Sequence, residues 1–321
     1  MRPILAFSLV SLIACTGAGT PASEYHEDLL PREEQIKINL PVDDAAKANT
    51  EAGFAEYYAM TRVLTEHVNG LITFVLGTVG YVTTLEPQWS DTDANTAVWG
   101  PWSDSGLDPV ETGLWVRGED DGTYSWAIFQ LPKGGDIETE SVVVVAGIVD
   151  AGSTRDDASG EFYVDFTTLS EMDPAVRAGG QFAVEYAYDV DGVIASAAFD
   201  DYGDVDGERY DALYSYDEDY AGAGSMDLAW LQDINANGTE ELHVMRTRWL
   251  ATGDGRSDAA LSGGDLGETA AYASECWGSD FSETYWSDTV DYQEPVGDVS
   301  VCAFADQELP SEASFGIIDG E

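Results

Sequence analysis

Basic residues are almost missing from this chain: 13 Lys and Arg stand against 61 Asp and Glu in 321 residues, a formal net charge of -48. Such a polyanion has no cationic surface with which to displace the counterions of a phosphate backbone, so nucleic acid is excluded as a partner. Histidine is nearly as scarce. His26, His67 and His243 are scattered singly, and no Gly-x-Ser-x-Gly elbow, His-Glu-x-x-His pair or phosphate-cradling glycine loop occurs, so nothing assembles a nucleophile and base. The reading is a non-enzymatic protein. No repeat of fixed length is present either. Cysteine is limited to Cys15, Cys276 and Cys302.

Apolar material is plentiful by contrast. Hydrophobic residues make up 44% of the chain and aromatics 11%, including 9 Trp and 16 Tyr, which is enough for one large β-rich domain and excludes acidic disorder. Residues 1–15 have the grammar of an export signal: Arg2, then an apolar run from Ile4 to Ala14, too short for a permanent membrane span. The run ends in Leu12-Ile13-Ala14-Cys15, which resembles the bacterial lipobox. That resemblance implies cleavage before Cys15 and lipid on its sulfur, so the expected partner is a membrane reached through acyl chains. Thr16 after the cysteine leans towards the outer membrane or the cell surface. Residues 16–33 read as a flexible tether with a reach of about 20 Å. Removing Cys15 leaves Cys276 and Cys302 as a pair in a disulfide-permissive compartment.

The rest, residues 34–305, reads as a single domain. Ile36 and Ile38 alternating with Lys37 and Asn39 suggest a short strand over Glu34 to Leu40. From about residue 50 to 85 the apolar positions Phe54, Tyr57, Tyr58, Leu64, Val68, Leu71, Ile72, Val75, Val79 and Val82 keep returning to one helical face. Leu71 to Leu85 is apolar nearly all round, which calls for enclosure, and enclosure by protein is preferred over lipid. Downstream the period changes to two. Tyr124, Trp126 and Ile128, then Phe182, Val184, Tyr186 and Tyr188, then Met226, Leu228 and Trp230 alternate with small or polar residues, and Val142 to Val145 suggests a strand buried on both faces. Asp120-Asp121-Gly122, Asp191-Gly192 and Asn237-Gly238 mark hairpins. The expected fold is mainly β: an antiparallel meander of about a dozen strands, the last over Val299 to Phe304, forming a curved sheet or barrel wrapped round the long N-terminal helix. Residues 306–321 read as an acidic C-terminal tail that frays.

Two constellations could carry chemistry. Asp233, Asn235, Asn237 and Glu241 place oxygens at alternate positions around Gly238, the arrangement a calcium loop uses; the competing reading is a plain Asn-Gly hairpin turn. No cofactor other than Ca²⁺ is suggested. Against the acidic background, Arg246, Arg248 and Arg256 fall within eleven positions, and Arg246 and Arg248 share a strand face with Leu242 and Val244. They form either an anion-binding site or internal ion pairs with the chain's own carboxylates.

Together with the lipobox, the blocks Tyr57-Tyr-Ala-Met-Thr-Arg-Val63, Val68-Asn69-Gly70, Trp99-Gly-Pro-Trp102, Gly160-Glu-Phe-Tyr-Val-Asp-Phe166, Arg248-Trp249, Gly255-Arg256-Ser-Asp258 and Glu275-Cys-Trp277 resemble uncharacterised acidic lipoproteins predicted in myxobacteria and related proteobacteria. The resemblance implies a lipid-anchored envelope or surface protein with one domain, and it implies no active site. The expected function is therefore a binding or structural module with an unknown protein or small-molecule ligand. The alternatives are a calcium-dependent adhesion or interaction protein and a carrier of a small apolar or anionic ligand inside the β-structure.

Overall fold

A computed structural model describes residues 30–41, 54–91, 95–103, 105–106, 108–233 and 237–311. Its frame is one sheet of fourteen strands, from β1 (Trp89–Asp91) to β14 (Glu283–Asp288), each antiparallel to its neighbour in sequence. The meander is the expected topology, since short hairpins keep consecutive strands adjacent. Among the described residues β1 and β14 do not pair with each other, and β14 meets only an isolated bridge at Val296 on its outer side, so the sheet is open and the barrel alternative is not realised.

Alternation sorts the two faces. In β7 (Ala178–Tyr188) Phe182, Val184, Tyr186 and Tyr188 are buried while Ala183 and Ala187 are exposed. The same phase continues through β4 (Tyr124–Pro132) with Trp126 and Ile128 and through β10 (Gly224–Gln232) with Met226 and Leu228. In β5 (Val142–Val149) Val144, Val145 and Ala146 are buried in succession, whereas Val142 and Val143 are only half-buried. Burial on both faces is thus limited to the middle of that strand. Gly122 and Gly238 take the positive φ a tight hairpin needs. Asp191-Gly192 turns differently: the Asp189 carboxylate accepts from both backbone N–H groups, at 2.7 and 3.1 Å.

Among the described residues four α-helices accompany the sheet. α1 (Glu33–Ile36) stands where a strand was expected. Ile36 and Ile38 do enter the core, at 0% and 4% exposure, but no strand pairs with them. Instead the Asn69 side-chain amide accepts from Ile38 N and donates to Ile38 O, both at 2.9 Å, and replaces a ladder partner. Leu30 is also buried, so the folded domain starts inside the segment read as tether. α2 (Glu56–Thr83) is the long helix; expected positions 50–53 lie outside the described residues. A π-helical turn over Thr73–Gly77 interrupts it, and there Val75 and Leu76 both point inwards. α3 (Ile137–Glu140) and α4 (Phe166–Met172) are short connectors.

α2 packs on the inner face of the sheet: Val68, Ile72, Val75, Leu76 and Val79 share one core with Trp126, Phe162, Phe182 and Tyr214. Each large side chain buried there stabilises the fold by about 1.5–3 kcal/mol. The opposite side of α2 departs from expectation. Phe74, Tyr81 and Leu85, counted among residues to be enclosed, are exposed, because an open sheet offers one surface and cannot cover both sides of a helix.

The chain end differs too. Val299–Val301 is a single 3-10 turn with Val299 and Val301 exposed, and no strand forms over Val299 to Phe304. The segment after β14 instead crosses back over the outer face of the sheet, where the arginines hold it.

Candidate functional site

β11 (Glu241–Trp249), β12 (Gly255–Gly263) and β13 (Gly267–Trp277) follow β10 in the meander. Met245, Thr247 and Trp249 face α2, so Arg246 and Arg248 project from the outer face. Register completes the cluster. Asp227, Arg246, Asp258 and Ser274 lie in one row across four strands, and Arg248 lies directly opposite Arg256 in the next row. Two like charges facing each other would weaken the pairing. Asp258 resolves the conflict: its fully buried carboxylate accepts from Arg256 Nε at 2.9 Å, Arg248 Nη2 at 3.0 Å and Ser274 Oγ at 2.6 Å. Arg246 grips Asp227 through two parallel bonds of 2.7 and 2.5 Å, and this pairing raises the Arg246 pKa above its ordinary value.

The remaining donors hold the C-terminal segment as a strap. Arg256 Nη1 donates to Phe304 O and Ala305 O at 3.1 and 2.9 Å, and Arg248 Nη2 donates to Asp306 O at 2.7 Å. Glu308 bridges Arg248 at 2.8 Å and Arg246 at 3.4 Å, while its backbone N–H donates to Asp258 at 3.0 Å. The Phe304 ring lies under the Arg248 guanidinium at 4.9 Å. A disulfide between Cys276 and Cys302 tethers the strap to β13. Asp306 and Glu308, at the start of the expected acidic tail, are thus held against the sheet, because buried guanidinium groups need acceptors and this segment supplies them; residues 312–321 of that tail lie outside the described residues. Of the two readings of Arg246, Arg248 and Arg256, internal pairing is the one the geometry realises.

The calcium candidate divides. Asp233 turns its carboxylate onto its own loop, accepting from Asn237 N at 3.1 Å and Gly238 N at 2.5 Å, as a hairpin turn would have it. Asn237 donates to Asp265, and Glu241, buried at the strand start, accepts from Asp265 N at 3.2 Å. Asn235 lies outside the described residues, as do Cys15 and His26. Among the described residues no three His, Cys, Asp or Glu side chains converge to hold a metal. His67 packs near Phe199 and Tyr202, and His243 stacks on Trp230 at 4.6 Å. Burial lowers the pKa of each, favouring the neutral ring.

One residue that carries the helix escaped the sequence reading. The residue before α2 is Ala55, which has no side chain able to cap it. Glu275 on β13 reaches across and caps it from the sheet: Oε1 accepts from Glu56 N at 2.7 Å and Oε2 from Tyr57 N at 2.6 Å. Glu275 is fully buried, and desolvation pushes its pKa up from 4.5 to about 7, with the two N–H bonds opposing the rise and Glu283 and Glu56 adding to it. A hydroxyl chain continues the polar seam. Thr61 meets Thr247 at 2.9 Å, and Thr247 meets Ser257 at 2.7 Å. The available signal was an inward-phase Glu between Ala273 and Trp277, together with a helix start lacking Ser, Thr, Asp or Asn.

A cleft of about 430 Å³ opens at the ends of four strands, with Tyr188 and Val193 in its wall and Asp157, Asp189, Asp217 and Asp219 among the carboxylates around it. Several of these carboxylates already cap their own turns, Asp189 as above and Asp219 by accepting from Ala223 N at 3.0 Å. Comparison with protein-family models, with curated proteins and with solved structures returns no match.

Proposed function

We propose that the chain is an exported lipoprotein, held at the outer membrane or cell surface through lipid on Cys15, and that its folded part is a non-enzymatic binding or structural module. The observation that carries the module reading is the filled inner face: α2 and the aromatic side chains of the sheet occupy the volume a carried apolar ligand would need. The Cys276–Cys302 bridge supports an oxidising compartment. We further infer that the sheet curves round α2. Glu275 of β13 touches one end of the helix, and Trp99 of β2 (Thr96–Trp102) donates to Leu85 O just beyond the other end, at 2.9 Å. The helical path between these contacts is about 44 Å at 1.5 Å per residue, whereas eleven strand spacings on a flat sheet would span about 53 Å.

Growth of the producing bacterium with an alkyne-tagged palmitate tests the anchor. The full chain acquires the tag and sediments with membranes, and Cys15→Ser abolishes both; an untagged wild-type chain refutes the anchor. Titration with an environment-sensitive apolar dye tests the filled face. Saturable binding at the inner face would replace the module reading with the carrier reading.

A further inference from the structure

The outer side of α2 carries a stripe of its own. Val63, His67, Gly70, Phe74, Thr78 and Tyr81 recur at helical intervals and are all exposed, Val63 at 67%, Phe74 at 53% and Tyr81 at 69%, and Leu85 adds to them just beyond the helix end. Single apolar residues on a surface need no explanation, but Phe74, Tyr81 and Leu85 follow one another along the same side, with only Thr78 between the first two, and such a grouping marks an interaction face. Two further observations fall on the same row. An added Cβ at Gly70 would meet nothing within 4 Å, so a partner's backbone can approach there. The π-helical turn over Thr73–Gly77 includes Phe74, and such turns concentrate at functional positions. α2 is also the one helix among the described residues with the length and hydropathy of a membrane span, yet only 33% of its most apolar window is buried.

Charge selects the occupant. Glu56, Glu66 and Glu86 are exposed along the helix. At the edge of the row His67 lies 5.7 Å from the Tyr202 ring, which lies 5.7 Å from the Tyr210 ring; Asp200 and Asp211 neighbour those two tyrosines in sequence, while Asp201 is paired with Arg209 at 2.5 Å. A second copy would bring another -48 to the contact, and an anionic bilayer repels the same charge. A segment with an apolar face bordered by Lys and Arg meets both requirements, the greasy row and its acidic border.

We propose that the outer face of α2 docks a basic amphipathic helix of a partner protein, apolar side chains on the Phe74 and Tyr81 row and cations on the flanking carboxylates. The inference rests on the binding-module reading above and is independent of the lipid anchor. The test uses the full chain carrying Cys15→Ser, so that no lipid is attached, and two synthetic leucine–lysine peptides of identical composition, one amphipathic as a helix and one scrambled. Calorimetry at about 0.3 M salt suppresses attraction due to net charge alone. The amphipathic peptide binds saturably and the scrambled one does not. Phe74→Ser with Tyr81→Ser weakens binding about tenfold or more, since buried aromatics dominate such interfaces. Both side chains are exposed, so the near-ultraviolet spectrum stays native; Glu66→Lys with Glu86→Lys weakens binding independently through charge. Equal binding of both peptides, or affinity unchanged by the serine pair, overturns the proposal. So does self-association, or binding to zwitterionic vesicles, that the serine pair abolishes in the absence of peptide binding. Failure here leaves palmitate labelling of Cys15 untouched, so the two readings fail separately.

Discussion

Replacing Glu275 with Gln makes the polar end of the helix–sheet interface measurable. Burial raises the folded pKa of this carboxyl from 4.5 to about 7, so between those values the folded chain holds a proton that the unfolded chain has released. Stability contributed by the neutral group is therefore fully present below pH 4.5 and is lost as pH rises through about 7. At about 1.4 kcal/mol for each tenfold change in proton affinity, the interval amounts to about 3 kcal/mol. Glu275→Gln cannot ionise. Its carbonyl still accepts one N–H from the start of α2, but its NH₂ faces the other donor, a pH-independent loss of about 1–3 kcal/mol. Urea unfolding of both proteins at pH 5, 6, 7 and 8, followed by circular dichroism, cancels the background titration of the other carboxylates. The stability of Glu275→Gln relative to wild type should improve by about 2–3 kcal/mol from pH 5 to pH 8. A flat difference, or one that favours wild type increasingly with pH, would mean that the N–H bonds of α2 outweigh desolvation, and the reasoning fails.

Asp258→Ala leaves Arg248 and Arg256 buried without their shared carboxylate and should cost about 3–5 kcal/mol in denaturant titration; a loss under about 1 kcal/mol would show that the strap carbonyls suffice. Cys302→Ser opens a loop set by a sequence separation of 26 and should lower stability by about 3.5 kcal/mol in the chain-entropy account, with faster protease cleavage between residues 298 and 311. Asn69→Ala removes both bonds to the Ile38 backbone and should cost about 1–3 kcal/mol, with hydrogen exchange at Ile38 rising before exchange in the strands.

Period was the most readable property of this chain. Phe182 to Tyr188 fall on one face because a strand alternates sides at every residue, and no distant contact can change that without flipping the whole set. Ile36 and Ile38 show where periodicity is ambiguous: a spacing of two suits a strand, but it also suits the last residue of a helical turn followed by extended chain. The choice lay with Asn69, more than thirty residues away, whose amide satisfies the backbone. Val299 and Val301 misled in the same way, since their alternation describes a strand while the arginines and the disulfide draw the segment across the outer face. Arg246, Arg248 and Arg256 stood out by their rarity, yet whether they bind a ligand or their own chain depended on Asp258 and Glu308. Glu275 was lost among 61 acidic residues.

Composition and pattern alone thus determined the antiparallel meander, the long helix and the cysteine pair, because each follows from residue count or from spacing along a short stretch. Tertiary structure alone decided that, among the described residues, the sheet stays open and one side of α2 is exposed, that the segment after β14 becomes a strap, and that a buried Glu caps the helix. Each of those outcomes turns on which groups far apart in sequence satisfy one another's hydrogen bonds and charges, and local periodicity carries no information about a partner two hundred residues away.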